Sequence, residues 1–154
     1  MTRALPGTRS TPDPAVAPAH AVPTTGTGPG VVTGRPRTWL QAEGLAVAAA
    51  GLVAHATTGA PWWLVPALFL VPDVAVLGYL AGDRGGAWTY NLAHTAPLPV
   101  ALLAAGLGWH VTALTVAGAV GLVHLGLDRA LGYGVTYDHG FGHTHLGSKE
   151  PAAG

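Results

Sequence analysis

Between Trp39 and Asp128 the chain carries five formally charged residues, Glu43, Asp73, Asp83, Arg84 and Asp128, and the rest of the stretch is apolar or neutral. A soluble helical domain needs polar faces at helical spacing, and this stretch has almost none. It divides into four apolar blocks at about 38–57, 61–80, 88–108 and 111–128. Each is about 18 to 21 residues, which at about 1.5 Å per residue matches a hydrocarbon core of about 30 Å. The expectation is an all-α fold, an integral membrane four-helix bundle with a disordered N-terminal tail.

Composition agrees with that expectation. Charged residues make up 9% of the 154, against about 25% in an ordinary soluble domain. Seven Lys+Arg cancel seven Asp+Glu, leaving no basic excess for phosphates, so no nucleic-acid partner is expected. With zero Cys there is no disulfide, no thiolate metal site and no cysteine nucleophile. Residues 1–37 hold seven of the thirteen Pro and four of the seven Lys+Arg, with Thr/Ala/Gly filler and no periodicity. That composition predicts a solvated tail, with neither the apolar core of a signal peptide nor an amphipathic targeting helix. Residues 38–147 form the transmembrane domain with a Gly/His-rich C-terminal segment, and 148–154 a flexible end.

Orientation follows from the cations. Arg35 and Arg37 precede the first block, Arg84 separates the second from the third, and Arg129 and Lys149 follow the fourth, while the other two links carry none. The bias of Lys and Arg toward cytoplasmic loops then predicts a multi-pass protein of the cytoplasmic (inner) membrane, both termini cytoplasmic, with the lipid bilayer as its partner. Trp39 and Trp88 fall at expected inner ends, and Trp62, Trp63 and Trp109 at outer ends, as interfacial tryptophans should.

Ionisable groups within a span are costly, so each is a functional candidate. Counted along the helices, Glu43, Asp73, Asn91, His94, His124 and Asp128 fall in one layer roughly 5 to 10 Å below the cytoplasmic face. His124 and Asp128 are i,i+4 and share a helix face; Asn91 and His94 are i,i+3 and nearly do. Pro72 precedes Asp73, and Pro97 and Pro99 follow His94, so backbone carbonyls are released near the same layer. Asp73, His94, His124 and Asp128 together form an oxygen and nitrogen ligand set suited to a divalent transition metal such as Zn, Mn or Fe. His55 and His110 fall near the outer face and read as interfacial. In the C-terminal segment, Asp138, His139, His143 and His145 are either a cap over the layer, a separate metal cluster or ordinary solvated groups.

Three functions compete. In a metal-dependent hydrolase acting on an amphiphilic or lipid-borne substrate, Asp73, His94, His124 and Asp128 hold the metal. Glu43 or a second carboxylate is the general base, which makes Glu43, Asp73, His94 and Asp128 the catalytic candidates. Arg129 at headgroup depth is placed to pair with a phosphate, and Asn91 and His145 are further polar candidates. In a small proton-coupled transporter, acting as a homodimer, Glu43, Asp73 and the histidines relay protons, although a substrate site for alternating access belongs nearer the midplane. In a non-catalytic scaffold, small-residue pairs such as Gly78 and Gly82 mediate helix contacts.

The runs PWWLVPALFLVPDVAVLGYLAG, AWTYNLAHTAPLPVAL, HLGLDRALGYGVTY and GFGHTHLG, with their motifs PD-x4-GY, YN-x2-HT and H-x3-DR-x2-GYG-x2-Y followed by THLG, resemble a bacterial family. It is the domain-of-unknown-function family numbered 4260, and the resemblance spans about Leu40 to Gly147. It implies a small multi-pass membrane protein and no particular activity. A weaker likeness is to membrane-bound metal-dependent hydrolases, through Pro72-Asp73, His94-Thr95 and His124 with Asp128. Tyr90-Asn91 stands where that pattern has a further His-Arg.

Overall fold

The computed structural model describes residues 30–138 and 142–148. The expectations for most of the tail, for His139 and for the end at 149–154 fall outside the described residues. Helix α1 spans Gly34–Thr57, α2 Leu64–Phe69, α3 Asp83–Ala93, α4 Pro97–Gly108 and α5 Thr112–Leu131. A 3-10 helix, Pro72–Ala81, continues α2, and two short strands, β1 His143–Thr144 and β2 Gly147–Ser148, pair antiparallel near the end. The fold is all-helical apart from that hairpin. Its rods follow the four apolar blocks, with two internal breaks that hydropathy did not reveal. Two of the helical stretches, Leu64–Ala81 and Thr112–Leu131, are long and apolar enough by themselves to cross a membrane.

α1 and α5 form the tightest seam. The buried residues of α1 are Gly44, Ala48, Gly51 and His55, a stripe at i, i+4, i+7 and i+11 that a 3.6-residue period keeps on one face. A Cβ on Gly44 would stand 2.7 Å from the Gly126 carbonyl oxygen, and one on Gly51 2.7 Å from that of Ala119. The backbones meet because these positions carry no side chain, which is how helices associate where hydrophobic burial offers no drive. The Gly78 and Gly82 pair behaves otherwise: Gly78 packs against Thr89, whereas Gly82 turns the chain at φ +98°. The seam also starts earlier than composition suggested, with α1 beginning at Gly34, inside the stretch expected to be tail.

The first break falls at Pro72. Without an N–H this residue cannot extend the α-helical ladder, and the chain tightens to i→i−3 bonds, Asp73 N–H to the Leu70 carbonyl and Val74 N–H to that of Val71. Three residues per turn then sort the side chains into straight rows. Val71, Val74, Leu77 and Leu80 face outward and are exposed. Asp73, Val76 and Tyr79 form the inward row, and Thr89 Oγ1 caps the Ala75 carbonyl from α3 at 3.0 Å.

The second break separates α3 from α4 at His94–Ala96, just before Pro97 opens the new helix. An expected single helix over 88–108 is therefore two, and His94 sits at the joint. At the far end α5 closes on Gly132, left-handed at φ +91°, with Tyr133 N–H reaching back to the Asp128 carbonyl. Beyond it, residues 133–138 and 142–148 fold back over one end of the bundle. Val32 N–H bonds the His145 carbonyl, His145 N–H bonds that of Val135, and Thr136 bridges to Thr144. The C-terminal segment is thus a cap held to the start of α1.

Candidate metal centre

Each break delivers a side chain to the same place. The 3-10 row turns Asp73 inward, the α3–α4 joint presents His94, and one face of α5 supplies His124 and, a turn later, Asp128. His94 Nε2 lies 3.3 Å from Asp73 Oδ1 and 3.8 Å from Asp128 Oδ2. His124 Nε2 lies 3.3 Å from Asp128 Oδ2 and 3.7 Å from Asp73 Oδ1. The imidazoles are almost wholly buried, at 3% and 2% side-chain exposure, while Asp73 and Asp128 keep 45% and 20%. Buried nitrogens thus face carboxylates that reach toward solvent.

The spacings identify what the arrangement can hold. Charge-assisted hydrogen bonds run at about 2.7–2.9 Å, shorter than any of these four contacts. Ligand atoms about 2.0–2.2 Å from a tetrahedral ion stand roughly 3.3–3.6 Å from one another; two of the four contacts, at 3.3 Å, fall in that range and the other two, at 3.7 and 3.8 Å, lie just beyond it. Asp73, His94 and His124 each offer a ligand atom within 4.8 Å of the other two, and this group could hold a metal ion. Asp128 flanks both imidazole nitrogens from α5.

The surrounding residues set the histidines up for that role. His94 Nδ1 is 3.0 Å from the Tyr90 carbonyl, and a carbonyl only accepts, so Nδ1 donates there and Nε2 is the ring nitrogen turned to Asp73, within hydrogen-bond reach of its Oδ1 at 3.3 Å. Tyr90 also stacks on the His94 ring at 3.8 Å and 9°. The two imidazoles meet edge to face at 4.9 Å, and Phe69 packs on His124 at 4.9 Å. Neither ring nitrogen of His124 makes a hydrogen bond among the described residues. A buried imidazole unsatisfied in this way, beside two carboxylates, has the donor chemistry of a ligand.

Two cavities flank the group. One of about 130 Å³ is lined by Asp73, Val76, Tyr90, Asp128 and Tyr133. The other, of about 270 Å³, is apolar and includes Pro72, Ala93, Val120 and Gly121 among its walls. Pro72 and Ala93 are the chain neighbours of Asp73 and His94, so the apolar cavity adjoins the group, whereas Asp73 and Asp128 themselves line the smaller one.

The other candidates from the sequence lie elsewhere. Asn91 holds the cap: its Nδ2 donates to the Thr136 carbonyl at 2.9 Å, and its Oδ1 accepts from Thr136 N–H at 2.8 Å. Tyr79 joins from the 3-10 row, 3.3 Å from Thr136 Oγ1. His145 accepts Val135 N–H on Nδ1 at 2.9 Å and belongs to the cap. Its burial, and then the Arg129 charge, hold its pKa below the usual 6.5. Glu43 is exposed on α1 and shares a separate groove with Arg129. His55, expected at the interface, is completely buried, with no hydrogen bond to either ring nitrogen among the described residues, and packs on Trp62 at 5.0 Å. His110 does lie exposed, at φ +57°. The sequence reading missed Tyr90, although its i,i+4 spacing to His94 was a usable signal.

Fold and site together define a class: a helical bundle with a buried Asp/His group that could hold a metal ion near one end. The model of the family described as Domain of unknown function (DUF4260) matches residues 37–148, and the chain belongs to that family. All four residues of the group, and the cap, lie within the matched stretch. No curated protein and no solved structure matches the chain.

Proposed function

We propose that this protein is a multi-pass protein of the cytoplasmic (inner) membrane, with both termini cytoplasmic, whose Asp73, His94, His124 and Asp128 bind one Zn, Mn or Fe ion for hydrolysis of an amphiphilic or lipid-borne substrate. The observation that carries the metal reading is the fourfold alternation of imidazole nitrogen and carboxylate oxygen at 3.3–3.8 Å. Membrane embedding is supported by the exposed row Val71, Val74, Leu77 and Leu80, and by the exposure of all five tryptophans, Trp39, Trp62, Trp63, Trp88 and Trp109.

A bound ion of this class supplies an acidified water and polarises an acceptor oxygen. The chain supplies the rest. Tyr90 fixes the His94 tautomer, Phe69 and Tyr90 hold the ring planes, and Asp128, partly open to the 130 Å³ cavity, is placed to take a proton from a water there. The α5 face that carries His124 and Asp128 continues outward as Gly121, Val120 and Ala117, which line the apolar cavity. A hydrocarbon chain there would bring its polar end to the donors. Metal analysis of the purified protein tests this: about one transition-metal ion per chain is expected, falling to background in His124→Ala. Absence of stoichiometric metal, or a content unchanged by the substitution, contradicts it.

A further inference from the structure

Glu43 and Arg129 are left over. Successive α-helical residues turn by about 100°, so the α5 face of Leu122, Leu125, Gly126 and Arg129 lies roughly 130° round the helix from that of His124 and Asp128. This second face, with α1 and the start of α4, encloses a groove of about 330 Å³ walled by Val47, Val100, Leu122 and Leu125, with Glu43 and Arg129 also lining it. The two charged residues come together where the aliphatic stem of Arg129 crosses α1 at Gly44, since a Cβ on that glycine would stand 2.8 Å from Arg129 Cβ.

Neither charge has an ion-pair partner among the described residues. Glu43 and Arg129 make no ion pair within 4.0 Å with any described residue, each other included, although they share one groove. Opposite charges held apart at one end of an apolar groove complement a ligand that carries both signs on a hydrocarbon body. A guanidinium recognises a phosphate through paired donors. A carboxylate accepts hydrogen bonds from a primary ammonium, which a quaternary ammonium cannot donate. A purely anionic headgroup would satisfy Arg129 and oppose Glu43.

We infer that the α1–α4–α5 groove is a binding site for a zwitterionic phospholipid with a primary-amine headgroup, phosphate on Arg129, ammonium on Glu43 and one acyl chain along Val47, Val100, Leu122 and Leu125. This rests on the membrane reading above and is independent of the metal. It gives Glu43 and Arg129 one shared task on a face of α5 away from the metal group.

The test reconstitutes full-length protein in nanodiscs of equal parts phosphatidylethanolamine, phosphatidylcholine and phosphatidylglycerol, and counts lipids retained on release by native mass spectrometry. Phosphatidylethanolamine should be retained roughly tenfold over the other two, as expected for one additional charge-assisted contact. Glu43→Gln should remove the preference over phosphatidylcholine, Arg129→Gln should lower retention of all three, and His124→Ala should change neither. Equal retention of the three lipids, preference for phosphatidylglycerol, or a preference that survives Glu43→Gln overturns the inference. Alkaline extraction of native membranes separates the two readings. Release of the protein defeats membrane embedding itself, whereas retention without headgroup preference defeats only the lipid site.

Discussion

The two ends of the bundle each bury a histidine, and the comparison shows what makes a site. His124 at one end and His55 at the other are both shut off from solvent, and neither ring makes a hydrogen bond among the described residues. Both pack against an aromatic ring, Phe69 for one and Trp62 for the other. The difference is their polar company. His124 Nε2 has carboxylate oxygens at 3.3 and 3.7 Å and a second imidazole beside it, whereas His55 makes no ion pair with any described residue. A buried imidazole by itself is a polar group stranded in the core; carboxylates converging on it supply the further donors that a metal site needs.

The largest expected effect exploits that contrast directly. His124→Phe should abolish metal uptake, whereas His55→Phe should leave it intact and hold or raise the thermal midpoint, because an apolar ring of similar shape replaces an unsatisfied polar one. Metal content and thermal unfolding of the two variants side by side decide the matter. Loss of metal in His55→Phe would erase the distinction between the two ends.

A smaller effect belongs to the cap over the inner end. His145 accepts the Val135 N–H on Nδ1 and is held below its ordinary pKa of 6.5 by burial and by Arg129. A histidine whose folded pKa is depressed binds fewer protons folded than unfolded. The stability it contributes is therefore present above about pH 6.5 and is lost as pH falls through the lower folded value. Hydrogen exchange should show the protection factor of the Val135 amide dropping on acidification below pH 6.5, with no such drop for amides in the α1–α5 seam. Uniform loss of protection across the bundle would place the titrating group elsewhere.

Much of this arrangement was legible in the sequence because the four apolar blocks are of similar length. Four blocks of spanning length allowed depth to be counted, and that count placed Asp73, His94, His124 and Asp128 in one layer before any helix was packed. Depth is one coordinate, and the direction round each helix is another. Glu43 was counted into that layer and Arg129 beside it, yet the structure puts both in a groove of their own, because Arg129 follows Asp128 in sequence and so faces about 100° away. Asn91 likewise turns to the cap. The change of period at Pro72 was also hidden: hydropathy sees the same apolar run in either helix type, yet three residues per turn aligns Asp73, Val76 and Tyr79 on the inward row. The seam of Gly44, Ala48 and Gly51 has helical spacing that could have been read as a contact stripe, but attention went to Gly78 and Gly82, one of which is a turn.

The most direct measurement is X-ray absorption spectroscopy of the metal-loaded protein. A metal held by this group gives a first shell of nitrogen and oxygen at about 2.0–2.2 Å, with outer-shell scattering from two imidazoles that falls to one in His94→Ala. A shell of oxygen alone, or imidazole scattering that survives loss of both His94 and His124, would contradict it.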